Sequence, residues 1–342
     1  MSIKALKIIS LTILCGCYFS AQAQQDPQFS MNFANKLLIN PGYAGMNDGI
    51  CAYLLTRQQW VGFEGNPETY VFGAHGTFMI PGINLKSGGG LTIMGDGLGQ
   101  MHFSGIKGVY SAHIPLNFIG GKPGHLGVGV SAGMLQFSVG NNWRSLDEFY
   151  LDPLIPDEGY SIGTFDLDAG LYYKTKDIYV GLAASHLTAQ SYSASGSNFV
   201  DTYGPDQAVA WNSSFSMERH YSLMAGYDFE IPNYNLFVLK PSVYIKTNLK
   251  SAQFDLNLIG EWNHFIWAGA TYRYTDAAVV MGGLNLGSNI IPKGNIRFGY
   301  SYDITTSAVV QGSNGSHEFF AQYCLTLKKQ PPVQKHKTVR FL

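Results

Sequence analysis

Three groups of residues have types and spacings that chemistry could use. Ser316-His317-Glu318 sets a hydroxyl beside a base and a carboxylate, the ingredients of acyl transfer. Asp166 and Asp168 stand two residues apart, so on a strand they share a face and could hold a cation. Cys51 and Cys324 are the two cysteines beyond the N-terminal stretch, and an oxidising compartment would let them pair. Other familiar arrangements are missing. None of the nine histidines has helical zinc spacing or a Cys-x-x-Cys context. No Gly-x-Ser-x-Gly elbow precedes a helix, and Gly88-Gly89-Gly90 lacks the lysine and helix of a phosphate cradle. The acids Asp147, Glu148, Asp152, Asp157 and Glu158 are not spaced as a calcium loop.

The elements that position these residues are strands. Over stretches of about ten residues apolar side chains alternate with polar or small ones, a period of two. From Ala252 to Glu261, Phe254, Leu256 and Leu258 oppose Gln253, Asp255 and Asn257. From Leu126 to Leu135, Val128, Val130 and Met134 oppose Gly127, Gly129, Ser131 and Gly133. The segment from Phe165 to Lys174 repeats the pattern. The alternation predicts about fourteen strands, at 51–60, 69–80, 88–97, 101–115, 125–138, 161–174, 177–187, 218–229, 235–248, 252–262, 265–274, 277–286, 294–303 and 316–326. Along a strand Ser316, His317 and Glu318 point to alternate faces, so the triplet cannot converge by itself.

Composition says what surrounds the strands. Aromatics make up 14% of the residues, charged residues only 13%, and there are 40 glycines. A soluble domain usually carries about a quarter charged residues, whereas a membrane barrel faces lipid and uses aromatic girdles. A soluble sandwich or propeller would also alternate, but it would need more Lys, Glu and Asp on its outward face. The net charge of -1 argues against nucleic acid as a main partner.

Residues 1–23 read as a signal peptide: Lys4 and Lys7, the apolar run Ile8–Phe19, then the small-x-small site Ala21-Gln22-Ala23. Leu14-Cys15-Gly16-Cys17 offers lipoprotein processing as the rival. Beyond the signal, no apolar run reaches the roughly 20 residues of a spanning helix. The expected fold is therefore all-β, a transmembrane antiparallel barrel. It divides into a periplasmic or plug-like segment at 24–50, a barrel at 51–326 and a basic periplasmic tail at 327–342.

With periplasmic termini, the two longest connections, 139–160 and 188–217, face outward. Closure makes the first and last strands neighbours. Cys51 and Cys324 then meet at the periplasmic end, pointing inward, either as a disulfide or as two unrelated buried thiols. Tyr172, Tyr244, Phe320 and charges of both signs are assigned to the lumen. There Asp166 and Asp168 would more ordinarily pair with an inward base, the candidates being Arg57, Lys107, Lys240, Lys246 and Arg297.

Gln25-Asp26-Pro27-Gln28-Phe29-Ser30, Asn40-Pro41-Gly42-Tyr43-Ala44-Gly45, Arg57-Gln58-Gln59-Trp60-Val61-Gly62-Phe63-Glu64-Gly65, His75, Asp96-Gly97-Leu98-Gly99, Leu239-Lys240-Pro241-Ser242-Val243, Gly299-Tyr300-Ser301-Tyr302-Asp303 and Gly315-Ser316-His317-Glu318 follow one another along the chain. In this order they resemble the PorP/SprF family of the type IX secretion and gliding machinery of Bacteroidota. Gly42 departs from the alanine more usual there. The resemblance implies a non-enzymatic outer-membrane component without a cofactor. Its implied partners are the periplasmic ring and motor proteins and cargo or adhesins bearing C-terminal sorting domains. Within the shared motifs Arg57, Trp60, Gly62, Gly65, His75, Ser316, His317 and Glu318 are the candidate structural or interaction residues. A passive porin-like channel is the alternative, and an outer-membrane lipase a remote one.

Overall fold

Polar side chains point inward and apolar ones outward on strand after strand, the reverse of a soluble β-protein. In the segment Ala252–Trp262, Asp255 and Asn257 are buried, while Phe254, Leu256 and Leu258 are 43%, 57% and 50% exposed. Such a surface is stable only against lipid. The computed structural model describes residues 26–117, 122–142, 159–200, 207–231, 236–287, 291 and 293–326. The segment read as a signal peptide, Cys17, the acidic stretch 147–158 and the tail expected to be periplasmic lie outside these residues. Among the described residues no helix is long and apolar enough to cross a membrane.

The chain runs through α1 (Lys36–Ile39), β1 (Gly49–Gln58), β2 (Glu68–Ile80), β3 (Leu85–Leu98), β4 (Met101–Pro115), β5 (His125–Val139), β6 (Tyr160–Lys174), β7 (Ile178–Ser185), β8 (Ser191–Val200) and β9 (Gln207–Ser216). It continues through β10 (His220–Tyr227), β11 (Phe229–Glu230), β12 (Phe237–Thr247), β13 (Ala252–Trp262), β14 (Ile266–Arg273), β15 (Ala277–Leu286), β16 (Gly294–Thr305) and β17 (Ser316–Thr326). Fourteen of these strands form one closed antiparallel barrel. Barrel strands consecutive in the chain pair with one another, and β7 with β10, β10 with β12 and β1 with β17 complete the ring. The alternation predicted all fourteen, with ends that agree to within about three residues. Each wall strand must serve lipid on one face and the lumen on the other, so the period of two runs almost unbroken.

Two features go beyond the sequence reading. The long connection after β7 contains a hairpin, β8 with β9, that among the described residues pairs with no barrel strand. It is braced on the rim by Tyr192, whose hydroxyl bonds Thr164 Oγ1 at 2.9 Å and whose ring meets Phe103 and Phe137. The second is the N-terminal segment, which lies inside the barrel against wall residues such as Glu318 and Asp303.

The two rims differ. The rim with Cys51 and Cys324 carries tight turns, including one where Asn263 and His264 both have φ of 51°, as a type I′ hairpin needs. Long connections leave the opposite rim, which the barrel rule places outside the cell. Tyr227, Trp262 and Tyr323 stand exposed near the short-turn rim, and Tyr70, Tyr272, Tyr274 and Tyr300 near the other, as two interfacial girdles.

Cys51 and Cys324 are direct partners across the seam, with Cα atoms 4.0 Å apart and their sulfurs joined in a disulfide. Without reductant, alkylation followed by mass spectrometry should find neither thiol free. Cys51→Ser should lower stability by about 2–4 kcal/mol, read by denaturant unfolding. Two readily alkylated thiols in the unreduced protein would contradict the pairing.

Candidate functional site

A fourteen-stranded ring encloses more space than its own inward side chains can fill. Residues 26–48 occupy it. They run from the long-loop rim, where Asp26 lies beside His186, His220 and Lys246, to the short-turn rim, where Asn47 meets Lys174 and Cys51. Asp26, near the expected mature start, therefore lies at the long-loop rim and not at the short-turn rim. Only the start of β1 lies at that rim, because the preceding segment threads back through the barrel.

The segment is held in the outer half by charge. Arg57, buried on β1, donates to Asp303 at 2.8 Å, to Glu318 at 3.2 Å and to Ser30 Oγ at 2.9 Å. Glu318 accepts the backbone N–H groups of Ser30 and Met31, both at 2.8 Å. The Ser30 hydroxyl donates to Asp303 at 2.7 Å. Arg273, fully buried, reaches Asp255 at 3.2 Å, Asp303 at 3.5 Å and the Phe29 carbonyl at 3.1 Å. One turn of irregular chain thus has its backbone groups satisfied by wall charges rather than by a sheet ladder. Of these residues the sequence singled out Arg57 and Glu318. Arg273 it missed, although the inward parity of β14 would have flagged it, and Asp303 it carried only as the end of a motif.

Further inward, close packing replaces charge. The segment's backbone at Pro41-Gly42 and Ala44 lies against Gly127, Gly129 and Gly88, where an added Cβ would overlap main-chain atoms. The Gly45 N–H donates to His75 Nδ1 at 3.0 Å, and His113 Nε2 lies 2.8 Å from the Ala44 carbonyl. Asn40 donates to the carbonyls of Leu171 and Leu182 at 3.0 and 3.1 Å. Tyr172 and Phe320, assigned to the lumen, are buried there, and Tyr244 lines the outer cavity.

The remaining candidates separate. Ser316 Oγ accepts the Trp60 N–H at 3.0 Å, a rim contact, while His317 stands on the outer face beside the Tyr300 hydroxyl at 2.7 Å. Serine, histidine and glutamate thus serve three different neighbourhoods and form no acyl-transfer site. Gly62 and Gly65, with φ of 114° and 73°, shape the β1–β2 connection against Gly312 and Gly99. Asp166 and Asp168 grip Lys107 at 2.6 and 2.8 Å, so the pairing with a base is the arrangement present. His186, which the sequence reading passed over, bridges Asp166 at 2.7 Å and Asp26 at 2.8 Å. Cavities of about 80 and 150 Å³ remain in the outer and inner halves of the lumen.

The fold and its interior define a membrane β-barrel with a filled lumen. A family model described as "Type IX secretion system membrane protein PorP/SprF" matches residues 21–323, and the chain belongs to that family. It is an outer-membrane component of type IX secretion. No match is found among curated proteins. Among solved structures it is similar to the CymD monoaromatic hydrocarbon channel, at 14% identity and TM-score 0.54, covering 89% of this chain and 95% of that one. The Pseudomonas putida toluene transporter TodX is similar at 8% identity and TM-score 0.50, covering 88% and 95%. These likenesses concern the fold.

Glu318→Ala would strip Arg57 of one of its two carboxylates and leave two buried backbone donors unpaired in the lumen. It should cost about 3–5 kcal/mol, whereas the exposed Glu64→Ala should stay within about 0.5 kcal/mol. Equal costs in denaturant unfolding would show that the network does not anchor the segment.

Proposed function

We propose that the protein is a non-enzymatic scaffold of the secretion apparatus. It would bind machinery proteins at its periplasmic rim and cargo or adhesin sorting domains for secretion or surface anchoring. The observation that carries this reading is the occupied lumen: residues 26–48 are tied to strands on all sides of the wall, which suits a body that works through its surfaces. The family supplies the secretion context. The β8–β9 hairpin adds an outward surface, since among the described residues its outer edges pair with no strand and edge strands are ready partners for another chain.

A passive channel is the second reading, favoured by the likeness in fold to a hydrocarbon channel. Planar-bilayer recording separates the two. The intact protein should give little steady conductance, and deleting residues 28–46 should open a pore. Large steady conductance from the intact protein would reverse the ordering. Cross-linking in cells should join the intact protein to periplasmic ring proteins or to a cargo sorting domain; recovery of neither would defeat the scaffold reading even with a closed lumen.

A further inference from the structure

The inner cavity, of about 150 Å³, is lined by five cationic and two acidic side chains. Asp177 is taken by Lys122 at 2.6 Å, and Asp228 lies 3.7 Å from Lys240, which also holds Glu261 at 2.9 Å. Lys176 pairs with Glu230 at 3.0 Å, which leaves three cations: Lys36 on the inserted segment, Lys174 on β6 and Arg297 on β16. Among the described residues no carboxylate forms an ion pair with any of them. Lys36 donates to the Tyr172 hydroxyl at 3.2 Å and sits 3.4 Å from the Tyr179 ring centroid. Lys174 has only the amide oxygen of Asn47, at 3.3 Å. Arg297 lies 5.0 Å from the Trp267 ring and 5.3 Å from Phe33, and its Nε is buried without a partner.

Aromatic faces account for part of this. A cation–π contact is worth about 0.5–2 kcal/mol, but it leaves N–H donors unused and does nothing about repulsion among like charges. Three partly desolvated cations around one space are costly without an anion. The planar guanidinium fork matches carboxylate or phosphate oxygens, and the ammonium groups add point charges. The turn Thr175–Ile178 lines the cavity and belongs to the short-turn rim, so a ligand would enter from the periplasmic side. The volume is several times a water molecule's share of about 30 Å³.

We propose that this cavity is a binding site for a small dianionic oxyanion, a phosphate or a dicarboxylate, held by Lys36, Lys174 and Arg297. Because Lys36 belongs to the inserted segment and the other two to the wall, the bound anion pins that segment to the barrel. This inference rests on the filled lumen and not on the secretion role.

Isothermal titration of the full-length mature protein in detergent tests it, with sodium phosphate and sodium succinate as probes at constant ionic strength in chloride. One saturable site per chain is expected for at least one probe, and which probe binds assigns the oxyanion class. Arg297→Gln and Lys36→Gln should each weaken binding about tenfold or more, while Lys250→Gln, at an exposed pair on the long-loop rim, should not. Lys36 is not a wall residue, so Lys36→Gln leaves the barrel strands intact, and retained heat-modifiable migration on a gel verifies that each variant is folded. Absence of binding by both probes, or unchanged binding in both folded variants, overturns the proposal; either result leaves the conductance test unaffected.

Discussion

The buried cluster of Arg57, Arg273, Asp303 and Glu318 is what the interior depends on. A ring of fourteen strands is wider than one that wall side chains can fill, and narrower than rings left as aqueous channels. The space must be occupied, and an irregular segment inside it cannot use a sheet ladder for its backbone groups. Charged wall residues supply those partners instead. Glu318 takes two adjacent backbone N–H groups, and Arg273 donates to the carbonyl just before them. Ions so buried are stable only in company, and here each arginine faces more than one carboxylate. The wall thus fixes the segment, and the segment completes the wall's charge balance.

The inward faces divide this work by depth. Near the outer rim they present Arg57, Lys107, Asp166, Asp168 and Arg273, all buried. Further in, β5 offers Gly127 and Gly129, over which the backbone at Pro41 and Gly42 lies directly. A strand of alternating valine and glycine suits this place: valine faces lipid, and glycine lets a second backbone approach. The same strand in a soluble sandwich would present its valines to the core and its glycines to water.

Strand positions and the seam were legible because alternation is a local signal that lipid on one side enforces. Closure made the strands of Cys51 and Cys324 neighbours, and parity turned both side chains inward. The path of the inserted segment was not legible. Its anchors join residues more than two hundred positions apart, such as Ser30 to Asp303 and Asn32 to Asp255, and several inward acids compete for each base. His186 was missed for a related reason. It lies just past the end of β7, where parity no longer tells which way a side chain points, and its role appears only once Asp26 is known to sit in the outer lumen. The β8–β9 hairpin was hidden by composition: Ser191-Tyr192-Ser193-Ala194-Ser195-Gly196 has too few apolar residues to display a period.

The fold is shared with hydrocarbon channels, and the contrast lies in what opening would require. A conduit needs a continuous path, which here means displacing residues 26–48. At the outer end that breaks the bonds of Glu318 to two backbone donors, of Arg273 to the Phe29 carbonyl and of His186 to Asp26. Bonds to charged groups are worth about 1.5–3 kcal/mol each. They are not independent, because loss of the segment also strips the wall charges of their partners. The sum is large against thermal energy, so the filled lumen is the resting state. Opening would have to be driven by a partner that supplies comparable free energy by making better contacts with the released segment or with the exposed wall. Under the proposed scaffold role that partner would be another protein and not a concentration gradient.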